Sequence, residues 1–243
     1  MSQSKTNSAL VTGATGFIGG HLTRRLIDAD WSVRILVRDT ARLTEDIRGQ
    51  TMVVQGDLAD AKALREAVRG AGIIFHCAAN VKTWDEPKAY HATNVEGVEN
   101  LIAAVAAANG GLARLVHLSS VDVYGFPEQS CDETATLAAR VFGYGDSKRE
   151  GELLLRNLCA RQGIPFVVLR PANVMWPGSP FIERMGDALR SGVMLTIDGG
   201  RANAGFLDVG NLLDYMVWAA FAPHAAGDRK STRLNSSHVA LSR

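Results

Sequence analysis

The sequence is poor in the features that mark disulfide-rich, membrane-spanning or metal-binding proteins. Its 243 residues include three cysteines, which stand far apart at Cys77, Cys131 and Cys159. This spacing favours free thiols in a reducing compartment over a disulfide framework, and it offers no neighbouring ligands for a metal site. No apolar run approaches the roughly 20 residues that a membrane-spanning helix requires. We therefore predict no structural disulfide, no metal and no membrane partner.

An excess of charge of one sign is also missing. The formal net charge is +1, and the basic residues form no patch within the globular part. The sequence therefore indicates neither a nucleic acid nor an acidic surface as a partner. The first residues run directly into an apolar segment, so we expect no signal peptide and a cytoplasmic location.

Apolar segments of two kinds alternate along the chain, and their order predicts an α/β fold. Predicted strands are Ser8–Thr12, Ser32–Arg38, Thr51–Gln55, Gly72–Cys77, Arg114–Ser119 and Pro165–Leu169. Predicted helices are Gly16–Ala29, Ala61–Val68, Pro87–Asn109 and Gly145–Gln162. Such alternation is typical of a Rossmann-type doubly wound parallel sheet covered by helices on both faces. Cofactors bind such sheets beyond the carboxyl ends of the strands.

A glycine-rich turn follows the first strand. Gly13, Gly16 and Gly19 lie between the strand Ser8–Thr12 and a helix with apolar residues at helical spacing. Glycine lets backbone approach a pyrophosphate closely, and the start of the helix presents free N–H groups and a positive dipole end to it. An ordinary glycine turn is the alternative, but the order of strand, turn and helix favours a dinucleotide site.

Tyr144 and Lys148 are four residues apart in a predicted helix. Side chains at this spacing project from one face, one turn apart. A nearby cation favours the phenolate and lowers the pKa of a tyrosine, which suits proton exchange with an alcohol or ketone. The spacing alone is common by chance, so its weight comes from the glycine turn upstream.

Together these motifs resemble the extended short-chain dehydrogenase/reductases, also called the NAD-dependent epimerase/dehydratase family. The resemblance runs in the family's order from about Ser8 to about Ala222. It includes the glycine signature 12–19, Asp57-Leu58, Cys77-Ala78-Ala79, the helix motif 94–101, the serine strand 119–125, and Tyr144 with Lys148. The Arg170-Pro171 pair resembles the family's cofactor contact after strand six.

The resemblance implies a role for each matching residue. Ser120 would hydrogen-bond the substrate oxygen, Tyr144 would be the general acid/base, and Lys148 would bind the nicotinamide ribose and lower the pKa of Tyr144. Tyr124 is predicted to pack, and His76 and His117 are predicted core residues. The expected cofactor contacts are Gly13, Thr15, Gly16, Phe17, Ile18, Gly19, Arg38, Asp57, Leu58, Ala78, Ala79, Asn94, Tyr144, Lys148 and Pro171, with Asn94 left open between this role and a structural one.

The end of the second strand bears on the form of the cofactor. An NAD site usually carries an acidic residue about 20 residues past the glycines, bonded to the ribose 2′-OH. Val37 occupies that register position, and Arg38 follows it with a guanidinium that suits a 2′-phosphate. The alternative is that Arg38 is a surface charge and Asp39 serves the ribose. We favour NADP over NAD, as in the dihydroflavonol reductase branch that the chain resembles.

Three functions remain open at this stage. The first is an NAD(P)-dependent oxidoreductase acting on a secondary alcohol or ketone, as in the hydroxysteroid dehydrogenase and dihydroflavonol reductase branches. The second is a sugar-nucleotide epimerase with retained NAD, and the third is a non-catalytic NADP-binding sensor. Dehydration is disfavoured, since dehydratases of this family carry Asp-Glu where this chain has Val121-Asp122.

Three regions are predicted along the chain. Residues 1–170 would form the nucleotide-binding domain and 171–227 a partial substrate lobe, with elements at Phe181–Ser191, Met194–Ile197 and Val209–Phe221. Residues 228–243 are polar and basic, and DRKSTRLNSSH resembles the translation of a sequencing adapter. We therefore expect that the native sequence differs after about Gly227. Helices 87–109 and 145–162 would pair across a homodimer or pack within one subunit.

Overall fold

The fold is built on a parallel sheet, as predicted. The computed structural model describes residues 7–82, 84–108, 110–125, 127, 131–138, 143–192 and 205–222, and the backbone of 232–235 and 238–239. The six central strands are β1 (Ser8–Thr12), β2 (Ser32–Val37), β3 (Met52–Gln55), β4 (Ile73–His76), β5 (Arg114–Leu118) and β6 (Phe166–Pro171). They lie in the order β6-β5-β4-β1-β2-β3 and every neighbouring pair is parallel.

Helices connect the strands and cover both faces of the sheet. They are α1 (Phe17–Asp28), α2 (Glu45–Gln50), α3 (Ala61–Val68), α4 (Pro87–His91), α5 (Gly97–Ala107), α6 (Gly143–Gln162), α7 (Pro180–Arg190) and α8 (Val209–Phe221). A π-helical turn, Ala92–Glu96, joins α4 to α5, so the helix predicted at 87–109 is one body with an internal bulge. The short helix α2 was not predicted, because six residues carry too little periodicity to detect.

Two apolar clusters hold the helices to the sheet. Leu22 and Leu26 of α1 pack with Leu212 and Met216 of α8 on one face. On the other face α3, α5 and α6 cover the strands, with side chains such as Leu101 fully buried. Each such leucine stabilises the fold by about 1.5–3 kcal/mol relative to leaving it exposed. The prediction that the apolar segment of α8 is a core helix is confirmed.

The strand order reverses between β1 and β4. The chain winds outward from β1 through β2 to β3, and then returns to β4 on the other side of β1. In open parallel sheets such a reversal leaves a crevice outside the carboxyl ends of the strands, where ligands bind. Thr12, His76 and Leu118 end the three strands that meet there.

The region after β6 is less regular than the sheet. A separate two-stranded parallel ribbon forms from β7 (Asn173–Met175) and β8 (Phe206–Asp208). The prediction at Met194–Ile197 lies outside the described residues. The tail, whose sequence shows no periodicity, contributes β9 (Thr232–Asn235) parallel to β6, and β10 (His238–Val239) antiparallel to β9. None of the helices in the described part of the chain is long and apolar enough to cross a membrane.

Candidate active site

The glycine turn between β1 and α1 brings three stretches of backbone into close contact. Gly13 has φ +76°, and a Cβ there would lie 2.7 Å from the Ala78 nitrogen. A Cβ on Gly19 would lie 2.2 Å from the Gly13 oxygen, while the Gly16 N–H donates to that oxygen at 2.9 Å. Real Cβ atoms essentially never approach so closely, so side chains at Gly13 and Gly19 would force the turn open.

The start of α1 suits a diphosphate. Gly16 caps the helix without a side-chain hydrogen bond, and the first turn carries no acidic residue. Its free N–H groups and the positive end of the helix dipole therefore meet no competing carboxylate. The structure places Thr15 in the turn, Phe17 and Ile18 in the first turn of α1, Ala78 and Ala79 just after β4, and Pro171 at the end of β6. A dinucleotide fits this cradle.

Arg38 and Asp57 meet beyond the ends of β2 and β3. Arg38 Nε lies 3.7 Å from Asp57 Oδ2, and both side chains are at least half exposed. An exposed ion pair of this kind contributes at most about 1 kcal/mol, so the guanidinium can readily exchange its partner for a phosphate. Leu58 is buried beneath Gly97, where a Cβ would meet the leucine at 2.8 Å.

Asp39 is engaged in local structure. Its Oδ1 accepts a hydrogen bond from the Ala41 N–H at 2.9 Å and caps the 3-10 turn Thr40–Arg42. A side chain at this N-cap position satisfies a backbone donor that the turn leaves free. The carboxylate that could serve a ribose in an NAD site therefore already has a partner.

Ser120 follows β5 directly. It caps the 3-10 turn Val121–Tyr124, and its Oγ accepts from the Asp122 N–H at 3.2 Å. Its hydroxyl lies close enough to the Tyr144 phenol to lower the pKa of that phenol, although the two residues are 24 positions apart in the chain. The fold thus brings together the serine and the tyrosine that the sequence placed in one site.

Tyr144 lies near the start of α6, beside the ring of Tyr90 at 6.5 Å between centroids. Burial raises the pKa of its phenol, and the Asp122 carboxylate raises it further, whereas the Ser120 hydroxyl lowers it. The expectation that Lys148 lowers this pKa stays a prediction. The phenol is protonated at neutral pH.

Lys148 is buried beside the end of β5. The side chain is 3% exposed, and its Nζ donates to the backbone oxygen of Leu118 at 2.6 Å. Burial lowers the pKa of the Lys148 ammonium to about 8, and the negative charge of Glu152 acts in the opposite direction. The ammonium therefore points at the end of β5, and its pKa lies about one unit above neutral pH.

Asn94 lies in the π-helical turn, and its side chain is fully engaged. Its Oδ1 accepts from the Asn80 N–H at 2.7 Å, and its Nδ2 donates to the Ser147 hydroxyl at 2.9 Å. A Cβ added at Gly151 would lie 2.0 Å from the backbone oxygen of Asn94. These contacts tie the loop after β4 to α6, which is a structural role, while the place of Asn94 at the cofactor stays a prediction.

Two buried charged residues were missed as a pair by sequence reasoning. Arg170 of β6 bonds both carboxylate oxygens of Glu152 in α6 and also donates to the Tyr124 hydroxyl. The sequence suggested a cofactor contact for Arg170. The side chain of Arg170 is only 3% exposed, and its guanidinium is bonded to Glu152 inside the protein. The signal available was the position of Glu152, one helical turn after Lys148.

His76 and His117 stack in the sheet as neighbours on β4 and β5. Their ring centroids are 5.2 Å apart, and His76 Nδ1 lies 2.7 Å from the Thr12 hydroxyl. Burial lowers the pKa of His76 to about 3 and that of His117 well below its usual value, so both rings are neutral. No cluster in the described part of the chain has the ligands for a metal ion. The placement of these rings in the core is confirmed.

Comparison with known families decides the relationship that these features suggest. The sequence model of the NAD dependent epimerase/dehydratase family matches residues 9–232. The chain belongs to this family. This family is also called the extended short-chain dehydrogenase/reductases, so the resemblance that the sequence suggests is confirmed.

Two curated relatives in this family are reductases or dehydrogenases. A 4-hydroxy-2-methyl-3-oxo-4-farnesyl-3,4-dihydroquinoline-1-oxide ketoreductase from Stigmatella aurantiaca is 31% identical over 217 residues, 86% of this chain and 63% of that protein. The 3 beta-hydroxysteroid dehydrogenase type 7 of Mus musculus is 28% identical over 81% of this chain and 60% of its own length. The chain thus spans less than two thirds of these relatives.

A solved structure in the same family is similar in fold. MoeE5 in complex with UDP-glucose and NAD superposes with a TM-score of 0.79 at 27% identity, over 95% of this chain and 77% of that one. The agreement confirms the Rossmann-type sheet that the sequence predicts.

Proposed function

We propose that this chain is an NADP(H)-dependent oxidoreductase that transfers a hydride between the nicotinamide and a secondary alcohol or ketone. The observation that carries the proposal is the placement of Ser120 near the Tyr144 phenol, with buried Lys148 one turn along α6 and its Nζ bonded to the Leu118 oxygen at the end of β5. These groups lie after β5 and in α6, beside the crevice at the carboxyl ends of the strands. The ketoreductase and dehydrogenase relatives support the same chemistry.

Each of the three side chains has a distinct role in the proposal. The Ser120 hydroxyl hydrogen-bonds the substrate oxygen, and the Tyr144 phenol exchanges a proton with it. Lys148 holds the nicotinamide ribose hydroxyls with its ammonium. The nicotinamide, when bound, supplies or accepts the hydride. The glycine turn and the free start of α1 hold its diphosphate.

The protonation of Tyr144 favours carbonyl reduction. Burial and the Asp122 carboxylate raise the pKa of the phenol. A protonated phenol is the form that donates a proton to the alkoxide developing on a reduced ketone. Oxidation of an alcohol needs the phenolate instead, so we propose that reduction dominates at neutral pH and that oxidation gains as the pH rises.

NADP(H) is the proposed cofactor. Val37 has no carboxylate to bond the ribose 2′-OH. The carboxylate of Asp39 instead caps the 3-10 turn that follows it. The guanidinium of Arg38 is 73% exposed beside the same site, where a 2′-phosphate would displace its weak pairing with Asp57.

We further propose that the protein acts in the cytoplasm on a small molecule. A homodimer through α5 and α6 stays a prediction, because these helices also pack against each other within the chain.

A sugar-nucleotide epimerase with retained NAD is the second candidate. The similarity to MoeE5, solved with UDP-glucose and NAD, favours it. The exposed Arg38 and the absence of an acidic residue at Val37 argue against a tightly held NAD. The two functions differ in whether turnover consumes external cofactor.

One experiment separates the two candidates. The purified protein is mixed with NADPH or NADH and a panel of ketones. Loss of absorbance at the nicotinamide band with NADPH and an apolar ketone supports the reductase. Conversion of a UDP-sugar without added cofactor, with NAD released on unfolding, would replace it with the epimerase.

A further inference from the structure

Glu152 is a fully buried carboxylate beside the proposed catalytic lysine. It lies four residues after Lys148 in α6, and both are on the buried face of that helix with Gly151 and Leu155. Its side chain is 0% exposed. Residues four apart on a helix are neighbours, so Glu152 and Lys148 lie one turn apart on the same face of α6.

Arginines on two elements hold the Glu152 carboxylate in place. Arg170 Nε donates to Oε2 at 2.9 Å and Arg170 Nη2 donates to Oε1, which is a two-point contact across from β6. Arg156 Nε, on the next turn of α6, donates to Oε1 at 2.9 Å. A planar guanidinium bound at two points fixes the carboxylate in orientation as well as in position.

The same contacts reach the turn that carries Ser120. Arg170 Nη1 donates to the Tyr124 hydroxyl, and its guanidinium carbon lies 4.9 Å from the centre of the Tyr124 ring. Tyr124 ends the 3-10 turn that Ser120 caps. Glu152 is therefore connected through Arg170 and Tyr124 to the turn after β5, which begins at Ser120.

Among the charged groups near Lys148, Glu152 is the one that most favours the charged form of the lysine. Burial opposes ionisation of Glu152, but the hydrogen bond and charge of Arg170, with the charge of Arg156, hold its pKa below the usual value. Among the described residues, Lys148 also interacts electrostatically with His76 and His117, which are neutral, and with Cys77, whose pKa burial raises to about 12. The Glu152 carboxylate opposes the loss of charge that burial imposes on the ammonium.

We propose that Glu152 is a positioning residue for Lys148: its buried carboxylate keeps the ammonium charged, and its contact with Arg170 holds α6 at a set distance from the Ser120 turn. This inference rests on the proposed function, which makes Lys148 the group that binds the cofactor. No proton leaves Glu152, and it touches neither substrate nor cofactor.

The test measures the titration of Lys148 without using activity. The protein is labelled with ¹³C at the lysine ε-carbons, and Lys148→Arg assigns the signal. The Glu152→Gln variant removes the charge. The double variant Glu152→Gln with Arg170→Gln removes it together with its partner, and neutral replacement of a buried pair usually leaves a folded protein. Glu150→Gln, an exposed carboxylate on the same helix, is the matched control.

We expect the Lys148 titration midpoint to fall by about one pH unit in both Glu152 variants and to stay unchanged in the control. Turnover should fall roughly fivefold at pH 8 and much less at pH 6.5, because the fraction of Lys148 that is charged falls mainly near its titration midpoint. An unchanged midpoint in a folded variant would overturn the inference. So would loss of folding in both variants beside a folded control, because Glu152 would then be structural.

Failure of the proposed function gives a different result. If Tyr144→Phe kept full activity while the Lys148 midpoint still moved in the Glu152 variants, the catalytic assignment would be wrong and the effect of Glu152 on Lys148 would stand. If Tyr144→Phe abolished turnover and the midpoint did not move, the reverse would hold.

Discussion

Lys148 Nζ donates a hydrogen bond to the backbone oxygen of Leu118 at 2.6 Å. Leu118 is the last residue of β5, two residues before Ser120, and Lys148 is one turn after Tyr144 in α6. The contact therefore ties the helix that carries the phenol to the strand that carries the serine. Because the lysine is buried, its ammonium needs this oxygen or another acceptor in its place. The ribose hydroxyls of a nicotinamide cofactor are acceptors of the required kind.

Tyr144→Phe should abolish most turnover and leave cofactor binding intact. The change removes the hydroxyl that donates the proton while it keeps the ring that packs beside Tyr90. General acid catalysis contributes about 10²–10⁴-fold, so kcat should fall by that factor. Steady-state rates and NADPH titration by fluorescence check both statements. Tyr215→Phe in α8 is the control, and a fully active Tyr144→Phe protein would disprove the assignment.

Arg38→Gln should weaken NADPH binding and leave NADH binding unchanged. The exposed guanidinium is proposed to pair with the 2′-phosphate, which NADH lacks. Loss of one partly exposed charged contact should raise the Kd for NADPH about tenfold. Both constants are measured by calorimetry, with Arg65→Gln on α3 as the exposed control. Wild-type protein that binds NADH more tightly than NADPH would reject the proposed cofactor.

Asp122→Asn should move the pH profile of alcohol oxidation to lower pH. Asp122 carries a carboxylate that raises the pKa of the Tyr144 phenol, and the amide removes that charge. Oxidation requires the phenolate, so its rate rises with pH through the pKa of Tyr144 and should begin to rise earlier in the variant. Initial rates between pH 6 and the alkaline limit of stability test this shift. Asp28→Asn is the control, and identical profiles would show that Asp122 does not act on the phenol.

Gly13→Ala should destabilise the protein and impair cofactor binding together. The residue has φ +76°, and an added Cβ would lie 2.7 Å from the Ala78 nitrogen. Gly163→Ala is a matched control, since Gly163 has φ +64° and nothing within 4 Å of an added Cβ. The control should lose about 1–2 kcal/mol of unfolding free energy from backbone strain alone. Urea unfolding and NADPH affinity should show a larger loss for Gly13→Ala, and equal losses would mean that the close approach to Ala78 has no effect.

The regular elements could be predicted from the sequence because their signals are local. Apolar runs of four to six residues separated by helical periods place β1 to β6 within two residues at each end, and α3 and α8 at their observed bounds. The division of the long helix at 87–109 could not be predicted, because the π-helical turn comes from the packing of Asn94 against Asn80 and Ser147.

By itself the sequence determined the family, the parallel sheet and the residues that stand at its carboxyl edge, since glycine turns and the Tyr144–Lys148 spacing act over a few residues. Only the tertiary structure decided how the pKa values of those residues are shifted. Burial and the Asp122 carboxylate raise the pKa of the Tyr144 phenol, and burial lowers the pKa of the Lys148 ammonium to about 8 against the charge of Glu152. Burial and electrostatic interactions depend on segments brought together by folding, such as Arg170 and Glu152, which lie 18 residues apart. Spacing along the chain therefore identifies the reacting groups, and packing sets the pH at which they react.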